Sequence, residues 1–496
     1  MITYIGGIIV ALFFIGGAIF TGYFADAAYL TMNAALYLGL LGVVILRKRL
    51  IFHWLHAPIL VIVLGYWLTC LHAVDLEVAV LEASRVSSLL PIALLASLLS
   101  REKLMQMLSY WPWAGAFMTI IGVMFQLERN GRLESTLQYA NALAIVCLTG
   151  LLVSMLNYAG KQSRLSLVLL TVNAAGLLLT FSRSVWVLWL LSAAVLVLVI
   201  PQLRKMSSII YLSAGHLAGV LIAMLIKQDA LFFLNRVSSI QTNTAEFQIR
   251  LVYWKDSIAI IRDYWWGGTG GGGWTVLQNS YQSQPYYVKF IHNHYIQILL
   301  DIGVLGGLSL LTLIGLFYFG AFKRLKGCSG LESNAVRGLL IIVTVLLLHA
   351  GFDFDLTYPL LFALLICFML AAVSQGRDVS IGAVAKASTV AAAAVISVFF
   401  IWLGIAYQWK EQGVRAVRAN ELQSALGYLA KAEQALPWSS SILYETAKLY
   451  VHMGNQSGDL AHYRAAEAKL TEAAGKVQGK AVYEELLEAV KDRLSN

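Results

Sequence analysis

Apolar runs of roughly 17–25 residues recur along most of this chain, each long enough to cross a hydrocarbon layer about 30 Å thick. In lipid every backbone N–H and C=O must be satisfied within the chain, so such runs are read as membrane-spanning helices. Composition agrees. Apolar residues make up 59% of the 496, mean hydropathy is +0.72, and charged residues are 13%, where soluble domains carry about 25%. The expected fold is an all-α polytopic membrane protein with about thirteen spans, centred near residues 11, 36, 62, 93, 119, 148, 172, 192, 217, 305, 343, 365 and 398. The fourth is the shortest, about 86–100, with Pro91 inside it. The first run starts without a basic segment or a small-residue cleavage site, so it reads as a span and not as a cleaved signal. Cys70, Cys147, Cys328 and Cys367 lie far apart with no CxxC pair, so neither disulfides nor structural zinc are expected.

Orientation follows from the basic residues of the short loops. One alternate set holds fifteen, from Arg47, Lys48 and Arg49 to Arg377 and Lys386; the other holds four, Arg85, Arg129, Arg132 and Arg183. The first set is therefore expected in the cytoplasm, with the N-terminus inside and, after an odd number of spans, the C-terminal tail outside. The +9 formal charge lies wholly in residues 1–409, with 25 basic against 16 acidic residues. Cytoplasmic anchoring accounts for much of it, so no nucleic-acid partner is implied.

Two regions lie outside the apolar runs. One is a loop of about 65 residues, Gln228 to Ile291; the other is the tail beyond Gln408, where eleven basic residues balance eleven acidic ones. In "ALGYLAKAEQALPWSSSILYETAKLYVHMG" (425–454) small and apolar residues recur at helical spacing on both sides of Pro437, and Gly454 closes the second stretch. The pair resembles a tetratricopeptide-type repeat. It serves either as a helical cap on the membrane domain or as a docking platform for a protein partner.

The polar features gather on the less basic side. Arg183 stands in the short turn "TFSRSVW", where a lone arginine ordinarily snorkels, and Arg250 precedes an amphipathic stretch, where alone it is a surface charge. "YWWGGTGGGGW" (264–274) is either a hinge or a place where backbone N–H groups approach a ligand. "HNHYIQILLDIGVLGG" (292–307) puts His292 and Asn293 before a long apolar run, and "HAGFDFDLTYP" (349–359) brings Asp353 and Asp355 to a tight turn.

In this order the elements resemble the shared domain of the O-antigen ligase and O-antigen polymerase superfamily: Ser182-Arg183, Arg250 with Trp254, Gly268-Thr269-Gly270, then His292-Asn293 followed by Gly303 and Gly306. The upstream segment "GRLESTLQYANALA" ends near Asn141 in the same manner. The chain departs from that pattern in its four consecutive glycines after Thr269, in Trp265 and Trp266, and in its helical tail. The layout so implied is N-terminal spans over 1–164, a ligase-like core over 165–375 containing the loop 228–292, a last span over 376–409 and a helical domain over 410–496.

The resemblance implies a GT-C-like membrane glycosyltransferase. Its donor is a glycan on a polyprenyl diphosphate, its acceptor a glycan, lipid or protein, and its surroundings are membrane lipids. Physical chemistry fits. Two guanidiniums, Arg183 and Arg250, can neutralise a diphosphate leaving group, and an imidazole, His292, suits the acceptor proton. Asn293 then orients His292 or caps the helix. Gly268, Gly270, Asn141, Asp353 and Asp355 complete the expected substrate-binding set. No cofactor is expected, and no metal either, because the outer loops hold no clustered Asp/Glu/His set of the usual spacing. The rival from another class, a transporter or flippase of lipid-linked oligosaccharide, predicts ionisable residues near mid-membrane and two half-repeats. The span centres carry few charges and no duplication stands out.

Overall fold

The computed structural model describes residues 2–228, 245–477 and 479–495. Among them eight helices are long and apolar enough to cross a membrane, and five shorter apolar helices bring the set to thirteen, all but the fourth at the places that hydropathy predicts. Strands are confined to two small pairs: Arg49–Phe52 antiparallel to Arg377–Ser380, and Glu128–Arg129 with Arg132–Leu133. The protein is thus an all-α polytopic membrane protein.

Burial sorts the helices. Every residue of Pro359–Ala372 is buried, and the apolar window of Ala140–Lys161 is 83% buried, against 22% for Met206–Lys227 and 28% for Ala383–Arg418. A helix that is apolar all round and fully enclosed is a core helix; the other two expose apolar surface such as Leu217, Leu225, Val395 and Val398, as a lipid-facing helix does.

The fourth span is a correction. It runs from Leu76 to Ser97 as two helices, Leu76–Val86 and Leu89–Ser97, so it starts ten residues before the expected stretch. Glu77, Glu82 and Arg85 depress its hydropathy but are buried, and they are paired: Arg85 lies 2.5 Å from Glu82 and 3.5 Å from Asp26. Arg85 is therefore a residue inside a helix, and the loop count becomes fifteen against three.

Residues 229–244 of the long loop lie outside the described residues. The rest holds two helices, Ala245–Tyr264 and Trp274–Tyr281. The last apolar helix runs on without a break from Ala383 to Arg418. Four further helices follow it, Leu422–Ala435, Ser440–Ser457, Leu460–Lys476 and Ala481–Ser495. The second of these passes Gly454 and ends at Gly458, whose φ of +71° supplies the left-handed cap.

Candidate functional site

Four helix ends and one turn meet at one end of the bundle. The starts of Ala140–Lys161, Arg183–Val199 and His294–Gly327 bring Tyr139, Asn141, Arg183, His292 and Asn293; the end of Gly330–Ala350 brings His349, and the turn after it Asp353 and Asp355.

Asp353 is the hub. It is fully buried and receives Tyr139 Oη at 2.7 and 2.9 Å, Asn141 Nδ2 at 2.5 Å and the Phe354 backbone N–H at 2.8 Å. His292 Nδ1 stands 3.2 Å from its Oδ1, and the Arg250 guanidinium 3.7 Å from its Oδ2. Burial alone would raise this carboxyl, but the hydrogen bond to His292, with Arg250 and His349 beyond it, holds it well below the usual carboxylate range. With Nδ1 facing a carboxylate, that nitrogen carries the imidazole hydrogen and Nε2 is left as the basic one.

The backbone of His292 is itself unusual, with φ +57°. The left-handed region is uncommon for a residue other than glycine, and such strain concentrates at functional sites. The ring is held edge-to-face on Phe354 at 4.9 Å, and Phe354 stacks on Tyr139 at 4.6 Å. His292 keeps 20% of its side chain exposed over this buried base.

The two expected arginines meet on one helix. Arg250 Nη1 donates to the Phe352 carbonyl at 2.6 Å, and Arg183 Nη2 to Glu246 at 2.7 Å. Glu246 and Arg250 are four residues apart, on one face of Ala245–Tyr264.

Other expected ligands have different tasks. Asn293 is the N-cap of His294–Gly327, its Oδ1 accepting from Tyr295 and Ile296 N–H at 3.1 Å each. Asn141 and Asp353 are buried behind His292 and orient it. Gly268 and Gly270 are buried as well, with φ of +75° and +80°. Their N–H groups donate to Tyr264 and Asp301 carbonyls at 2.8 and 3.0 Å, so they serve close packing where a ligand contact was expected. The partner is a break in the long helix at Ile302 and Gly303, where Thr269 N–H reaches the Leu300 carbonyl and Val304 N–H the Trp265 carbonyl, both at 2.9 Å. A Cβ on Gly303 would lie 2.2 Å from the Trp266 carbonyl oxygen. Gly303 thus receives the backbone of Trp266 and Gly268.

Sequence reasoning missed Tyr139, Arg132, His349 and Ser184. Arg132 donates to Asn141 Oδ1 at 2.6 Å and to the Thr180 carbonyl at 2.8 Å. His349 is hydrogen-bonded through Nδ1 to Asp355, and its Nε2 lies 3.3 Å from Ser184 Oγ. Burial, with the charge of Asp353 nearby, pushes the Asp355 carboxyl up despite that histidine. A signal existed, since His349 stands six residues before Asp355 in one short string and Tyr139 two before Asn141.

The site thus belongs to a polytopic helical membrane protein that sets a carboxylate-oriented imidazole beside arginines at one end of its bundle. Residues 165–311 match the family model described as O-antigen ligase, so this segment of the chain is similar to that family. The match takes in Arg183, Arg250, His292 and Gly303 but not Asn141, Asp353 or the helical tail. No curated protein matched the chain. The match supports, in general terms, a membrane protein of the O-antigen ligase type.

Proposed function

We propose that the protein transfers a glycan from a polyprenyl-diphosphate donor to an acceptor hydroxyl at the outer face of the cytoplasmic membrane. The reaction is that of a cell-surface polysaccharide polymerase or an O-antigen-type ligase. One observation carries this reading: His292, with Nδ1 on the buried Asp353 carboxylate and its ring partly exposed, sits beside Arg250. His292 Nε2 takes the acceptor proton as the hydroxyl oxygen attacks the anomeric carbon, and the bond from that carbon to the diphosphate breaks. Arg183 and Arg250 carry the charge that develops on the leaving group. A permanently charged, forked donor meets two phosphates without a metal. In the free protein Glu246 and the Phe352 carbonyl hold these guanidiniums, so a bound diphosphate exchanges one set of acceptors for another.

The scarcity of basic residues in the loops around this end supports placing it outside the cytoplasm. The helical tail then stands on the same side, where it serves as a platform for a partner.

The test is transfer by purified protein from a defined polyprenyl-diphosphate-linked glycan. Arg183→Lys and Arg250→Lys keep the charge and lose the fork, so each should lose nearly as much turnover as the alanine variant. Wild-type rates in both lysine variants would show that the arginines are surface anchors.

A further inference from the structure

Beside the His292 network lies a second buried ionisable pair. His349 is 1% exposed and Asp355 3%, and they are bound to each other through Nδ1 and Oδ2. Such a pair is costly to enclose and adds little stability by itself. Among the described residues its hydrogen-bond chain reaches the surface at Ser184, an exposed residue whose Oγ lies 3.3 Å from His349 Nε2.

Ser184 is the second residue of the Arg183–Val199 helix and directly follows Arg183. The first-turn N–H groups of this helix have no side-chain cap. The N-cap residue, Ser182, is 2% exposed, and its Oγ has no hydrogen-bond partner among the described residues. An uncapped helix start presents oriented donors and the positive end of the dipole. Beside them stand an arginine and a hydroxyl in hydrogen-bonding contact with a buried histidine.

We propose that Ser184 is a direct ligand of the donor's diphosphate, with His349 and Asp355 as positioning residues; this rests on the glycosyl-transfer reading above. Asp355 accepts from Nδ1–H. When the ring carries both protons, Nε2–H donates to Ser184 Oγ, and the hydroxyl hydrogen is turned outward to a phosphate oxygen. An anion bound there favours that arrangement, so the pair converts a rotating hydroxyl into a committed donor. The same three residue types activate a nucleophile in serine hydrolases, but here the acceptor supplies the attacking oxygen.

Binding without turnover separates the possibilities. Full-length protein in detergent is titrated calorimetrically with farnesyl diphosphate and, as the phosphate-free control, with farnesol. Ser184→Ala should weaken farnesyl diphosphate roughly 10- to 100-fold, as loss of a hydrogen bond to a charged group does, and leave farnesol unchanged. Ser184→Thr, which keeps the hydroxyl, should stay within a few-fold of wild type. His349→Gln should weaken the diphosphate alone. Unchanged farnesyl diphosphate affinity in Ser184→Ala, with Arg183→Ala still impaired, would overturn the role of Ser184 and leave the proposed function standing. Equal affinity of the wild type for the two probes would instead remove the diphosphate site itself. Covalent labelling of Ser184 by a fluorophosphonate would overturn the proposal in favour of a nucleophilic serine.

Discussion

Asp353 shows how one buried side chain can hold an exposed one at work. Four donors, from Tyr139, Asn141, His292 and the Phe354 backbone, converge on its two oxygens, and an asparagine at that position replaces one acceptor by a donor. Asp353→Asn should cost about 3 kcal/mol through groups left unpaired in the interior. The sign of the pH dependence follows from the direction of the shift. The folded-state pKa of Asp353 lies below its unfolded value, so its contribution is fully present above the ordinary carboxylate range and is lost as pH falls through the depressed value. The gap in unfolding temperature between wild type and Asp353→Asn should therefore hold from pH 7 to about 5 and narrow below about 4. Asp355, pushed the other way, gives up its contribution as pH rises through its raised value, and by less in Asp353→Asn, which lacks the charge that helps to raise it. Thermal unfolding in detergent across pH 3–8 reads this out, and a gap that closes already at pH 6 would contradict it. The residue types were legible in the sequence but their division of labour was not. Asn141 and Asp353 look like ligands because they are polar and near a membrane surface; only tertiary packing turns them inward to a histidine.

At the scale of elements, the glycine run is the clearest case of a motif with a structural task. Its four consecutive glycines looked like a hinge or a ligand cradle, but a Cβ on Gly270, Gly271 or Gly272 would meet Ala73, Glu82 or Val78 at 2.3–2.6 Å, and Gly268 just before them packs on the break at Ile302 and Gly303, where two backbones approach too closely for any Cβ. Gly303 combines φ +62° with ψ −158°, a conformation essentially restricted to glycine. Gly303→Ala should cost more than about 3 kcal/mol and give protein that runs as aggregate on size-exclusion chromatography. Gly315, in the same helix with open space around its Cα, is the control; there alanine should be neutral or stabilise by up to about 1 kcal/mol. Normal behaviour of Gly303→Ala would mean that the helix break is dispensable. The segment Leu76–Val86 teaches the complementary lesson. Hydropathy hides it because Glu77, Glu82 and Arg85 sit inside the protein, and pairing that a window average cannot see is what makes them tolerable there.

The whole molecule is tied together by that same segment. Val74 N–H donates to the Thr269 carbonyl at 2.9 Å, and one and three residues on, the chain holds the helical tail. Glu77 accepts from Tyr407 Oη at 2.8 Å and Ser441 N–H at 2.7 Å, and Lys480 pairs with Asp75 at 2.9 Å. The tail and the glycine run are therefore both held by one short stretch, at the end of the bundle that carries the site. Glu77→Ala should free the tail and make the tryptic sites at Arg415 and Arg418 cleave faster in limited proteolysis, with the membrane helices intact; unchanged digestion would contradict the clamp. The apolar helices were legible because lipid imposes length and apolarity on each one. The joint between tail and bundle was not, since it is made of isolated carboxylates and hydroxyls far apart in sequence. Orientation has its own check. With thirteen spans and a basic face inside, a reporter fused after Asn496 should be active only outside the cytoplasm, and Ser280→Cys, at an exposed position, should react with an impermeant thiol reagent in intact cells. A cytoplasmic reporter would overturn the assigned sidedness.

The central claim is that His292 accepts the proton of the attacking hydroxyl, and glycan transfer by the His292→Asn protein from a purified polyprenyl-diphosphate-linked donor tests it most directly. Asparagine tolerates the left-handed backbone at this position and offers a hydrogen-bonding side chain without a basic nitrogen. The account predicts a loss of roughly 10²–10⁴-fold in turnover, the usual worth of a positioned general base, with donor binding retained because the arginines are untouched. Transfer at the wild-type rate would contradict it.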